Sequence, residues 1–255
     1  MPCNKFLPDR DIADQSGKVI FVTGGNSGIG YETVKALLLK NAEVYLAARS
    51  KSKGMEAIQQ LQTETGKRAE FIALDLADLR SVRKAAEEFL SREMKLDVLF
   101  NNGRVLSAVF MDAAKDGPAR DALIKKVGSM MAPITYVHPD RTLYGASKTG
   151  NIFIANYYAK AHPGVLVSCS LHPGLIQTGL QRHSAFNRFF AAIAFSPPHV
   201  GAYTQLWAGM TATGEEINGK YFVPVGVERK LSGSASDKAL EGEVIRYLKE
   251  AIKGF

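Results

Sequence analysis

The chain has 255 residues, 46% hydrophobic and 22% charged, a balance that suits one globular domain with a large core and is too short for two full domains. Its formal charge of +7 comes from 32 Lys and Arg among 25 Asp and Glu, dispersed without a dense basic run, which points away from nucleic acid and toward a solvated surface with an acidic small-molecule partner. Two cysteines, Cys3 and Cys169, cannot build a disulfide framework and fit a reducing, cytoplasmic setting.

Residues 1–15 read as a polar leader. They are charged and lack an apolar h-region, so they do not read as a secretory signal, and Pro2 excludes N-myristoylation. Next, Lys18 to Thr23 (KVIFVT) is a β-branched run that enters a glycine-rich turn. Tyr31 to Lys40 follows with Val34, Leu37 and Leu38 at helical spacing. Glu43 to Ala48 predicts a second strand, Lys51 to Thr65 a polar helix stopped by Gly66, and Ala69 to Leu74 a third strand. Leu79 to Met94 predicts a helix with Val82, Ala86, Phe89 and Leu90 on its apolar face, and Leu96 to Phe100 a fourth strand. Strands separated by helices need right-handed crossovers, so the expected fold is α/β: a doubly wound (Rossmann-type), mainly parallel sheet flanked by helices.

Between Asn101 and Leu143 the periodicity is poor. The pattern resumes with a helix from Tyr144 to about His162, a strand from Val165 to Leu171, a helix near His199 to Met210, a short strand Lys220 to Val223 and an amphipathic helix Glu241 to Lys253. The apolar stretch from Ala185 to Phe195 contains Asn187 and Arg188 and falls short of the roughly 20 residues a membrane span needs. No integral span is expected. One domain covers residues 1–255, with 225–255 as a C-terminal extension.

TGGNSGIG, Thr23 to Gly30, lies where strand meets helix. There glycines allow a tight turn and close backbone approach, and the free amides and dipole of the helix start attract a phosphate. Gly24, Gly28 and Gly30 form the framework, with Asn26, Ser27 and Ile29 between them. Their spacing is GxxxGxG, so the general dinucleotide fingerprint supports a nucleotide only loosely. The second strand ends at Ala48-Arg49, 19 residues beyond Gly30. An acid there would hold the ribose 2′-hydroxyl of NAD; an arginine suits a 2′-phosphate, so NADP is favoured, with a solvated surface Arg as the alternative.

Together these residues resemble the short-chain dehydrogenase/reductase family, whose glycine pattern is TGxxxGIG, and within it the retinol-dehydrogenase-like branch. The NNG segment and KDGPAR are similar to fungal members. The resemblance runs from about Ser16 to Pro224. It implies that Asp75, with Leu76 beside it, contacts the adenine, and that Asn102 and Gly103 stand for the NNAG motif. It further implies that Tyr144 and Lys148 are the YxxxK pair, and that Pro173, Gly174, Ile176 and Thr178 form the PGxxxT segment at the nicotinamide carboxamide. YxxxK by itself is common, and Tyr31 with Lys35 matches it too; that second pair reads as a surface feature.

On a helix the i, i+4 spacing puts Tyr144 and Lys148 on one face. The lysine charge favours tyrosinate, bringing the phenol toward working pH as a general acid/base for an alcohol or carbonyl substrate. The resemblance also gives Lys148 the nicotinamide ribose.

Two departures from the family stand out. Gly103 is followed by Arg104 where the family has a small residue, and only 42 residues separate Asn102 from Tyr144. In the family that interval holds two helices and the fifth strand, which at ordinary element lengths needs about 45 residues or more. A deletion of the helix carrying the family's tetrad Asn and of part of the fifth strand is the economical account. Ser107, in Arg104-Val105-Leu106-Ser107, then resembles the remnant of the carbonyl-polarising Ser and is favoured over Ser129, with a site that has lost this Ser altogether as the third alternative. The missing helix belongs to the family's usual dimer interface, so homo-oligomerisation is left open.

Gln177 to Pro198, with Phe186, Phe189, Phe190 and Phe195, resembles the family's mobile substrate loop and suits a small apolar carbonyl or alcohol, with ordinary helix packing as the alternative. His172 reads as a strand-end residue, and Cys169 and Trp207 as core. No metal-ligand pattern is present in the sequence. The sequence therefore predicts an NADP(H)-dependent ketone or aldehyde reductase, reversible as an alcohol dehydrogenase, with secondary metabolism as its setting. The alternative is an NADP-binding protein with impaired catalysis.

Overall fold

The computed structural model describes residues 6–103, 139–176 and 196–254, and for 139–147 the helical backbone alone. Four parallel strands form the main sheet: β1 (Val19–Thr23), β2 (Glu43–Ala48), β3 (Glu70–Ala73) and β4 (Val98–Phe100), in the order β3-β2-β1-β4. β1 is central and wholly buried, as expected of a continuous apolar run in a parallel sheet covered on both faces.

Successive β1 side chains divide between the two faces. Ile20 and Val22 join Val44 and Leu46 beneath Val34, Leu37 and Leu38 of α2 (Gly28–Leu39) and Ala57, Ile58 and Leu61 of α3 (Lys51–Thr65). Val19 and Phe21 face Ala85 and Phe89 of α4 (Leu79–Arg92), where the rings of Phe21 and Phe89 meet edge-on. Each buried Val, Leu, Ile or Phe among them contributes about 1.5–3 kcal/mol. α3 ends where the sequence indicates, with Gly66 at φ 72° and its N–H on the Gln62 carbonyl.

Two expectations change. Ala86 and Leu90 were expected on the inner face of α4, but both are exposed, Leu90 at 69%, and the buried positions are Ala85 and Phe89. The strand expected from Val165 to Leu171 is only β5 (Ser170–Leu171). Val165 and Leu166 bond back to the His162 carbonyl instead, and a strand persists only where its backbone finds a ladder partner.

The leader is docked at its inner end. Phe6 and Ile12 are buried, and between them lies the turn α1 (Pro8–Asp11). Lys40 Nζ donates to the Asp9 carbonyl at 2.8 Å.

The second half begins with α5 (Pro139–Ala161), followed by β5, α6 (Pro198–Met210) and the single turn α7 (Gly214–Ile217). β6 (Tyr221–Val223), β7 (Val227–Glu228), a 3-10 turn (Gly233–Ser236) and α8 (Lys238–Ala251) complete the described chain. Among the described residues β5, β6 and β7 form a separate small sheet, with β5 parallel to β6 and β7 antiparallel to it. α6 packs on α2, and the Gln205 amide bonds to the Thr33 hydroxyl.

Candidate active site

The carboxyl ends of the four strands place the expected binding residues side by side. Gly24 N–H donates to the Ala47 carbonyl at 2.8 Å, and Leu74 N–H to the Ala48 carbonyl at 3.1 Å. Gly103 N–H donates to Thr23 Oγ1 at 2.7 Å, while that hydroxyl donates to the Phe100 carbonyl at 3.3 Å. Asp75, Arg49, Gly24 and Asn102 therefore leave neighbouring strands in the order of the sheet. This is the edge at which open parallel sheets bind ligands.

The glycine turn has the form its sequence requires. Gly24 and Gly28 have φ of 64° and 56°, values that L side chains adopt only with strain. A Cβ on Gly24 would lie 2.9 Å from the Gly103 Cα, and one on Gly30 would fall on the Gly24 carbonyl oxygen and the Asn102 amide nitrogen. Around Gly28, by contrast, space is open. Ser27 is the N-cap of α2 and its side chain makes no capping bond. The first-turn amides of Gly28, Ile29 and Gly30 thus form an uncapped helix start beneath backbone packed too closely for a side chain, the donor set that a pyrophosphate fits.

Arg49 is exposed, directly after β2 and beside Ser50, the N-cap of α3. Asp75 Oδ1 accepts the Ala77 N–H at 3.0 Å, and Asp75 N–H is held by Ser81 Oγ at 2.9 Å, which fixes the turn that also carries Leu76. Leu76 reaches Gly103, whose missing Cβ would meet it at 2.7 Å.

The segment after β5 comes to the same region. Gly174 has φ 92°, and its N–H donates to His172 Nδ1 at 2.9 Å. Partial burial lowers the His172 pKa, which keeps the ring neutral and able to accept that bond. Ile176 is buried, and Ile176 and Ile29 both converge on Gly201 of α6, each with a carbon 2.9 Å from where a Cβ would be. The helix start of α2 and the Pro173-Gly174 segment thus meet across α6. Sequence reading assigned no role to Thr23 or Gly201; Thr23 stands in the quoted loop, while a lone helical Gly201 carries no local signal.

Tyr144 and Lys148 both lie on α5, with Lys148 half-buried; the Tyr144 side chain is outside the described residues. Ser107, Ser129, Thr178 and Arg104 also lie outside them, as do residues 177–195 of the expected substrate loop. Tyr31 and Lys35 are structural: Lys35 pairs with Glu64 at 2.7 Å, and burial, followed by Glu64, pushes the Tyr31 phenol up. Burial likewise pushes the Cys169 thiol up to about 11, which makes it inert.

A doubly wound sheet with a glycine-rich helix start at its carboxyl edge defines a dinucleotide-binding class of fold, and similarity to known proteins narrows it to a family. The short chain dehydrogenase family model matches residues 18–133. A short-chain dehydrogenase/reductase of Armillaria gallica is 39% identical, covering 96% of this chain and 94% of that protein. Human retinol dehydrogenase 11 is 32% identical over 81% of this chain and 77% of its own. The solved L-sorbose reductase of Gluconobacter frateurii, complexed with NADPH and L-sorbose, superposes with a TM-score of 0.65 at 17% identity, covering 87% of this chain and 100% of that one.

The chain belongs to the short-chain dehydrogenase/reductase family, on its retinol-dehydrogenase-like side. It is an NAD(P)-dependent oxidoreductase of that family. Among the described residues no helix is long and apolar enough to cross a membrane. The match to the Armillaria protein runs over 292 positions against 255 residues here, so at least 37 positions of that relative lack a counterpart in this chain.

Proposed function

We propose that this protein is an NADP(H)-dependent reductase of small apolar ketones or aldehydes, reversible as an alcohol dehydrogenase, acting in the cytoplasm in secondary metabolism. The observation that carries the cofactor reading is the uncapped start of α2 beside the exposed Arg49. The backbone amides would hold the pyrophosphate, Arg49 the 2′-phosphate and Asp75 the adenine, with Leu76, Asn102 and Gly103 lining the edge between them. Pro173, Gly174, Ile176 and Thr178 would hold the nicotinamide end. When bound, NADPH supplies the hydride.

Tyr144 gives its proton to the carbonyl oxygen in reduction and takes the alcohol proton in oxidation. Lys148 lowers the phenol pKa by its charge and holds the nicotinamide ribose. Ser107 polarises the carbonyl, a contribution worth several kcal/mol only where the hydroxyl is preorganised.

A second reading is an NADP-binding protein with impaired catalysis, favoured by the 37 or more positions missing relative to the Armillaria protein. NADPH fluorescence titration combined with a screen of apolar ketones and aldehydes separates the two. Turnover that disappears in Tyr144→Phe while NADPH still binds is expected of the reductase. Binding without turnover in the wild type selects the second reading, and no binding at all overturns both.

A further inference from the structure

The C-terminal helix carries a buried acid that the proposed chemistry does not use. Glu241, in the first turn of α8, is 8% exposed. Its Oε2 accepts from Asn156 Nδ2 at 3.2 Å and Lys238 Nζ at 2.9 Å, and its Oε1 from Lys160 Nζ at 3.2 Å. Asn156 and Lys160 stand one turn apart on α5, and Asn156 is itself buried. Burial alone would raise the Glu241 pKa, but bonds from Lys238, Asn156 and Lys160 hold it below the usual carboxylate range. The group is ionised at neutral pH.

The two helices share an apolar seam besides. Phe153 of α5 is fully buried among Leu240, Val244 and Leu248 of α8, and Lys249 Nζ lies 4.4 Å from the centre of the Tyr157 ring. The principal packing partners of α5 among the described elements are β5, the 3-10 turn and α8. Lys148 is eight residues before Asn156 on the same helix, about 12 Å along a rigid rod.

We propose that Glu241 is a positioning residue: with its carboxylate on Asn156 and Lys160, α8 acts as a strut that sets helix α5, and so Tyr144 and Lys148, against the cofactor edge. The proposal rests on α5 being the catalytic helix. A buried carboxylate suits this task because its satisfied geometry fixes both rotation and translation of the seam, which apolar packing alone leaves looser.

The test uses the full chain as Glu241→Ala, Glu241→Gln and the exchange double variant Asn156→Asp/Glu241→Gln, which keeps one carboxylate and one amide at the seam. Amide hydrogen exchange is measured across residues 148–161, together with NADPH affinity and the pH profile of kcat on n-nonanal, 2-decanone and acetophenone. In both single variants exchange in α5 is expected to rise about tenfold, and kcat to fall about tenfold. NADPH affinity should change less than threefold, and the alkaline limb of kcat should move upward by at least half a pH unit as Lys148 loses its register with Tyr144. The double variant restores kcat to within threefold of wild type.

A residue that merely stabilises the fold would lower the active fraction and leave the pH limb in place. Either α5 exchange or the pH limb staying at wild-type values in Glu241→Gln therefore overturns the proposal. If the wild type turns over none of the three probes, the catalytic reading of α5 falls, and the exchange measurement decides the strut alone.

Discussion

Asn102 Nδ2 donates to the carbonyl of Thr23 at 3.0 Å, tying the end of β4 to the last residue of β1 just before the glycine turn. The same amide group stands where a Cβ on Gly30 would fall. Asn102 thus holds the glycine turn from below through its side-chain bond to the Thr23 carbonyl. Replacing it with Ala removes the donor and opens space under Gly30, at a cost of about 1 kcal/mol in stability. NADPH affinity is expected to fall about tenfold by fluorescence titration. An affinity within twofold of wild type would show that the turn holds its shape unaided.

Gly30 and Gly28 make a matched pair for a second prediction. Gly30 has no room for a methyl group, whereas Gly28 has room but a φ of 56°. Gly30→Ala forces the turn apart, with an expected loss of about 1–3 kcal/mol and of measurable NADPH binding. Gly28→Ala costs about 1–2 kcal/mol of backbone strain and keeps weakened binding. Thermal melts and titration of both variants check the order. Equal effects on binding would mean that close approach of the backbone is not what the loop provides.

The proposed preference for NADP over NAD rests on Arg49. It follows β2 directly, exposed and next to the Ser50 cap of α3. Arg49→Glu should weaken NADPH at least tenfold, because a carboxylate then faces the 2′-phosphate, while NADH affinity changes less than threefold. If the ratio of the two affinities does not move, Arg49 is a solvated surface residue and the NADP assignment fails.

How much of this could be read from the residues alone depended on range. α3 was legible to its last residue because Ser50, the 15-residue polar run and Gly66 are all local. β2 was legible for the same reason. The length of β5 was not, since it is set by how much of β6 is available to pair with it, and β6 has only three residues. Leu90 looked inward on the helical period of α4, yet only the tertiary neighbours decide how wide the buried stripe is. Phe6 and Ile12 were hidden in a stretch whose charges dominate its composition, although their partners are Tyr203 and the core of the first sheet. At the site, the residues themselves were legible, but their order Asp75, Arg49, Gly24 and Asn102 comes from the strand order β3-β2-β1-β4, which tertiary pairing decides. The clamp on Glu241 joins residues 85 apart, Asn156 to Glu241, and no spacing rule reaches that far.

At the opposite edge of the sheet, Asp97 gives a prediction for stability that leaves binding untouched. It precedes β4, where its Oδ2 accepts the Val19 N–H at 2.8 Å and its two oxygens pair with Lys18 and Lys95, each at 3.1 Å. The bond from Val19, with smaller contributions from Lys95 and Lys18, pulls its carboxyl from 3.8 down to about 2. A folded-state pKa below the unfolded one stabilises the protein above the unfolded value, and that stabilisation is lost as pH falls through the folded value. The window therefore runs from about 4 down to about 2. Allowing for solvent screening, the ionised Asp97 contributes on the order of 1–2 kcal/mol at pH 7. Asp97→Asn should lower the melting temperature by about 2–6 °C at pH 7. Across that acid window the melting curves of the two proteins should converge, with NADPH affinity at pH 7 unchanged. A gap in melting temperature that persists at pH 2 would place the effect in packing or hydrogen bonding, with the carboxylate charge playing no part.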